Sequence, residues 1–175
     1  ARDIALAHAA AARENLVAPV MEQPQYNLFT RERFEVDYSR LYREVGLGTT
    51  VWSPLSRGEL VGHYLEEKNG AFVISKAGER WLVDAALPPG YELRVQKVAE
   101  FATLARDLDL TPARLALAWV LKNPNVTTAI LGASNTKHFK ENLKAVSDLA
   151  PLTSEVMEQI EKIFHSRPVA EEVFR

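Results

Sequence analysis

The sequence predicts an α/β fold of parallel strands joined by helices, and three observations carry that expectation. Short β-branched runs alternate with longer segments whose apolar residues recur at helical spacing. One helical segment, LALAWVL (115–121), is apolar all round, as expected of a helix wedged between a sheet and other helices. Each strand ends by presenting polar or aromatic groups, and α/β ligand sites lie at the carboxyl ends of strands.

The elements follow in order. ARDIALAHAAAAREN reads as an alanine-rich helix over about 2–15, already under way at Ala1, which is not a methionine. A β-branched run from Val17 to Gln23 reads as the first strand. RFEVDYSRLYREVG places Val36, Leu41 and Val45 on one helical face, with Gly46 set to close the helix in the left-handed conformation. TTVWS (49–53) reads as the second strand and VTTAIL (126–131) as the third. Between them lie an irregular stretch over about 54–90 and two helices. One carries Val95, Val98, Ala102 and Ala105, and the other opens on Thr111-Pro112, an N-cap and a first-turn proline. A helix follows over about 136–146. The last starts at Thr153, with Leu152 and Met157 spaced as a hydrophobic staple. Residues after Pro168 read as a tail. This alternation fits two architectures, an open doubly wound sheet or part of a (β/α)8 barrel. The barrel needs eight strands, and three are legible.

Composition narrows the function. The 175 residues fit one domain. With 21 Lys plus Arg against 23 Asp plus Glu, the net charge of −2 gives no electrostatic case for nucleic acid or an anionic membrane. The absence of cysteine removes disulfides, zinc-thiolate sites and a thiol nucleophile, and suits a reducing, cytoplasmic setting. The four histidines are scattered without metal-ligand spacing. Trp81 and Trp119 read as packing residues, and Asp107 and Asp109 as groups flanking a helix end.

Three strand ends carry chemistry. LGASNTKHFKENL (131–143) is a strand-to-helix turn in which Gly132 and Ala133 allow close backbone approach and Ser134 or Asn135 can cap the helix. Its free N–H groups and dipole favour an anion. Ser134, His138 and then Glu141 and Asn142 share one stripe of that helix. A nucleotide phosphate bound at the turn would lay its base along this stripe; the plain alternative is a capped surface helix. In VMEQPQYN, Gln23 ends a strand with both an amide donor and an acceptor. In TTVWSPLSRG, Trp52 offers a flat face on which a planar ring can stack.

APVMEQPQYNLF, YREVGLGTTVWSPLSRGELVGHY, LALAWVLKNPNVTTAILGASN and KENL together resemble the aldo-keto reductase superfamily, most closely its voltage-gated potassium channel β-subunit-like branch. The likeness runs from about Ile4 to Pro168 and is weakest between about 65 and 91. It implies a (β/α)8 barrel of which residues 1–168 are the C-terminal half, strands six to eight with their helices, followed by a tail over 169–175. It further implies NADP(H) as cofactor and an aldehyde or ketone as substrate. By resemblance Gln23 pairs with the nicotinamide carboxamide, Trp52 stacks on the ring, and Ser53, Pro54, Leu55 and Gly58 fold over the pyrophosphate. Gly132, Ser134 and His138 match the 2′-phosphate region, and Glu141 with Asn142 the adenine contacts. Arg57, Glu59, His63 and His138 depart from the residues usual at their positions. The catalytic Asp, Tyr, Lys and His of the family match nothing in this chain, so no catalytic residue is assigned. The resemblance implies a chain inactive alone, partnered by a second copy or the missing half of the barrel, with a potassium channel as a further partner. A nucleotide-binding regulatory subunit and an inactive fragment are the alternative readings.

Overall fold

The computed structural model describes residues 1–78 and 91–169. Trp81, the end of the stretch read as irregular (79–90) and the tail beyond 169 lie outside them. Strands β1 (Met21–Glu22), β2 (Gly48–Val51) and β5 (Thr128–Ala129) form a parallel sheet in the order β1-β2-β5. Met21 pairs with Gly48 and Val51 with Ala129. The ladders are shorter than the β-branched runs. Pairing nevertheless continues past them, since the Trp52 N–H donates to Pro24 O (3.0 Å) and the Ile130 N–H to Val51 O (2.8 Å).

Strand periodicity divides the sheet into two faces. On the middle strand Thr49 and Val51 are fully buried. The Thr49 hydroxyl donates to Asn125 O at 2.6 Å, which satisfies it. The alternate residues, by register, are Met21, Gln23, Thr50, Trp52, Thr128 and Ile130. That second face is open among the described residues, with Met21, Trp52 and Ile130 exposed.

Helix α1 (Arg2–Glu14) precedes β1, and α2 (Ser39–Val45) joins β1 to β2. The expected stripe on α2 fails at Val45, which is 38% exposed while Val36 and Leu41 are buried. A π-helical turn over Arg33–Asp37, closed by the Tyr38 N–H on Arg33 O, precedes α2 and leaves Leu41 buried. Val45 is the last residue of α2, where the chain leaves the helix, whereas Leu41 sits one turn earlier, packed with Tyr38 and Leu47. Gly46 closes α2 at φ 65°, as its sequence position predicts.

The stretch read as irregular contains a hairpin. Strands β3 (Leu65–Lys68) and β4 (Ala71–Ile74) pair antiparallel around Asn69-Gly70, both at positive φ. Asn-Gly is the strongest short-range hairpin signal. The hairpin is tied to α3 (Tyr91–Asp107) by Arg106, which donates to Glu67 at 2.8 Å and lies over the Phe72 ring.

Helix α3 buries Val95, Val98, Ala102 and Ala105 as expected, and Phe101 besides. Helix α4 (Pro112–Leu121) buries six consecutive residues, Leu115 to Val120, which explains why it is apolar all round. The Thr111 hydroxyl accepts the Arg114 N–H, so the expected cap forms. Helix α5 (Thr136–Lys144) follows β5, and α6 (Ser154–Phe164) is capped by Thr153. One core links β2, α3, α4 and α6, with Phe164 meeting both Phe101 and Phe29 edge-on.

Candidate functional site

The carboxyl end of β2 runs into a loop with an unusual backbone. Ser53, Ser56 and Arg57 all adopt positive φ (50°, 49° and 56°), followed by Gly58 at 95°. Left-handed backbone costs a residue with a β-carbon about 1–2 kcal/mol, whereas glycine adopts it freely. Only Gly58 is suited to its position, so surrounding contacts must impose the rest. The buried Asn27 supplies one: its Nδ2 donates to Ser53 O (2.9 Å) while its Oδ1 accepts the Phe29 and Thr30 N–H groups. Within the loop, Ser53 O also accepts the Ser56 N–H, and Leu55 O accepts those of Gly58 and Leu60.

A buried ion pair fixes the far end. Glu59 is only 3% exposed and accepts two bonds from Arg94 on α3, at 2.7 and 2.6 Å, plus one from the Ser56 hydroxyl at 3.1 Å. The Arg94 guanidinium also stacks on the Phe29 ring, 3.9 Å from its centroid. The carboxylate that looks out of place in the sequence is thus the clip holding this loop against α3.

Across from the loop, the chain leaves β5 through Leu131-Gly132-Ala133 into α5. Asn135 is the N-cap, accepting the His138 N–H at 2.9 Å. The Ser134 hydroxyl is hydrogen-bonded to His138 Nδ1 at 3.0 Å, which draws the imidazole to the helix start.

The loop and the α5 start face each other across a cleft of about 590 Å³, within the size range of small-molecule sites. Nine of the eleven residues singled out from the sequence line it: Ser53, Pro54, Leu55, Gly58, Gly132, Ser134, His138, Glu141 and Asn142. Gln23 and Trp52 do not. Both nevertheless lie on the open sheet face, and Trp52 stands by register beside Ile130, which does line the cleft. Trp52 is 36% exposed, so one part of its ring is free to receive a ligand. Gln23 directly follows β1, and continuing that register sets it beside Thr50.

Sequence reasoning missed one wall. Thr111, Pro112 and Ala113 at the α4 N-terminus also line the cleft, as do Arg57 and Val61. Two helix N-termini therefore converge on one space: at α4 Pro112 has no N–H and Thr111 caps that of Arg114, which leaves Ala113, while at α5 Asn135 caps that of His138 and leaves Thr136 and Lys137. The Thr-Pro pair was legible as a cap, but nothing local says which space that helix points to.

Other polar groups stay outside. His63 does not line the cleft; its Cε1 lies 3.7 Å from where a β-carbon on Gly58 would sit. Although the residue remains exposed, partial burial of the ring lowers its pKa below the ordinary imidazole value. Tyr26 is locked between Phe34 and Trp119 in stacked geometry. Its hydroxyl donates to Glu35 (2.7 Å) and accepts from Asn123 (3.0 Å). Burial first, then the Glu35 carboxylate, push the phenol far above its ordinary value. Among the described residues no cluster of His, Cys, Asp and Glu could hold a metal ion, and no helix is long and apolar enough to cross a membrane.

Comparison with known proteins adds to this geometry. Residues 2–165 match the model of the Aldo/keto reductase family. A protein of Schizosaccharomyces pombe named as a voltage-gated potassium channel subunit beta is 40% identical over 167 residues, 95% of this chain and 48% of that protein. Proteins of Arabidopsis thaliana and Oryza sativa subsp. japonica with the same kind of name are each 37% identical over 181 residues, 100% of this chain and 53% of theirs. The chain spans about half the length of these relatives.

Proposed function

The chain belongs to the aldo/keto reductase family, and we propose that it supplies the nucleotide-holding part of an NADP(H)-dependent oxidoreductase that reduces aldehydes or ketones. On this reading residues 1–168 are strands six to eight of a (β/α)8 barrel with their helices. The observation that carries it is the cleft, which gathers nine residues drawn from two loops about 75 positions apart around two helix N-termini. An anionic dinucleotide suits that donor set. The N–H groups and dipoles of α4 and α5 favour phosphate, with Ser134 and His138 as further donors. Glu141 and Asn142 lie further along α5 for the adenine, and the loop from Ser53 to Gly58 covers the diphosphate. Trp52, on the adjoining open face, is the platform for the nicotinamide, and Gln23 pairs with its carboxamide.

When bound, the nicotinamide supplies a hydride to a carbonyl carbon. The residues of this chain hold the ring, orient it on Trp52 and exclude water with the loop. No proton donor is assigned among them. Tyr26 is engaged in its own buried network, and His63 stays outside the cleft.

The test is calorimetric titration of the 175-residue protein with NADPH and with adenosine 2′,5′-bisphosphate, which lacks the nicotinamide. Trp52→Ala should weaken NADPH by about tenfold, the usual loss of a stacking contact, and leave the bisphosphate unaffected. Wild-type protein that binds neither compound refutes the reading.

The open sheet face implies a partner. It carries Met21, Trp52 and Ile130 exposed to solvent, and apolar surface of this kind marks an interface. We assign it to the remaining segment of the barrel or, in its absence, to a second copy. Light scattering should give a mass above the 19.6 kDa of one chain; a stable, well-folded monomer counts against it. The names of the relatives favour a second reading, a nucleotide-sensing regulatory subunit of a potassium channel. Co-purification with a membrane channel, without carbonyl-dependent NADPH consumption, would select that reading.

A further inference from the structure

Arg57 stands out among the charged residues of the cleft. Among the described residues that line it, Arg57 is the one lysine or arginine, with His138 and the Glu141 carboxylate on the α5 side. Among the described residues Arg57 has no carboxylate within ion-pairing distance, whereas Arg31 holds two and Arg94 and Arg114 one each. It is exposed, and its backbone is left-handed at φ 56°, a conformation that favours glycine or asparagine over arginine. The loop beneath it is clipped by Asn27 and by the Glu59–Arg94 pair. A guanidinium with no carboxylate partner among the described residues, on left-handed backbone at the cleft wall opposite Ser134 and His138, is placed to meet an anion entering between the two walls.

We infer that Arg57 contacts a phosphate of the bound dinucleotide from the loop side, so that the ligand's negative charge bridges the loop to the start of α5. This rests on the dinucleotide reading above. Guanidinium suits the task because its fork matches two phosphate oxygens at once. Charge on the ligand, more than its ring system, would then set affinity at this wall, and the contact would weaken with salt.

The experiment is titration of NADP+ and of ADP-ribose, which has the diphosphate but no 2′-phosphate, into wild-type, Arg57→Asn and Arg57→Lys proteins at two salt concentrations. Asparagine tolerates the left-handed backbone, so Arg57→Asn should melt at or above the wild-type temperature. Its affinity should nevertheless fall about tenfold, as for a lost charge-assisted hydrogen bond, with a shallower salt dependence. Arg57→Lys should lose less. A loss for both ligands places Arg57 on the diphosphate, and a loss for NADP+ alone places it on the 2′-phosphate. If wild type binds and Arg57→Asn binds equally well at both salts, the role of Arg57 is refuted while the dinucleotide reading stands. If wild type binds neither ligand, both fall together.

Discussion

Arg94→Ala should destabilise the protein by about 3–5 kcal/mol, the usual cost of removing one partner from a buried ion pair. The reason is Glu59. With Arg94 present, both carboxylate oxygens are bound, one of them twice. Without it a carboxylate that is 3% exposed keeps a single hydroxyl donor. In a chain of this size that loss lowers the melting temperature by about 6–20 °C, measurable by calorimetry. It should also loosen the loop from Ser53 to Gly58, whose left-handed residues are not favourable by themselves. The double substitution Glu59→Leu with Arg94→Leu should recover most of the stability, because apolar residues often replace a buried pair without loss. An Arg94→Ala protein that melts with the wild type would show the pair to be idle.

Arg31→Ala should be comparably damaging, at about 3–5 kcal/mol. Arg31 is 8% exposed and donates to both oxygens of Glu35, to Glu161 at 2.6 Å and to the Ser166 hydroxyl, with its guanidinium over the Trp119 ring. Its removal leaves two half-buried carboxylates facing each other's ground, with the Tyr26 hydroxyl tied to one of them. A pH signature accompanies the loss. Burial by itself would raise the Glu161 pKa, but the hydrogen bond from Arg31 and the Arg167 N–H outweigh it and hold the carboxyl below its ordinary 4.5. A carboxyl with a depressed folded-state pKa contributes stability that is complete above its unfolded value and lost as pH falls through the folded one. Wild-type stability should therefore decline as pH drops below about 4.5, and Arg31→Ala should flatten that decline. Thermal melts from pH 6 to pH 3 would show it; parallel profiles for the two proteins would contradict the assignment.

The limits of legibility follow from the range of each signal. Thr111, Gly46 and Thr153 could be read because capping is a local interaction, completed within three or four residues. The stripe from Ser134 to Asn142 could be read because helical spacing alone brings those residues to one side. The hairpin at Asn69-Gly70 carried an equally local signal that the irregular reading passed over. Val45 failed for a different reason. It shares helical spacing with the buried Leu41, but as the last residue of α2 it falls past the packed surface, and spacing does not say how far that surface extends.

The sequence by itself determined the alternation of strands and helices, the caps, and which residues end each strand with chemistry in hand. Those properties follow from backbone geometry and neighbouring side chains. Only the tertiary structure decided that the loop after β2 and the start of α5 face each other, that the N-terminus of α4 joins them, and that Glu59 finds Arg94. The partners in these contacts lie between about 35 and 80 positions apart in the chain. No periodicity spans such distances; it takes the parallel sheet, bringing the ends of β2 and β5 side by side, to turn separate strand ends into one cleft.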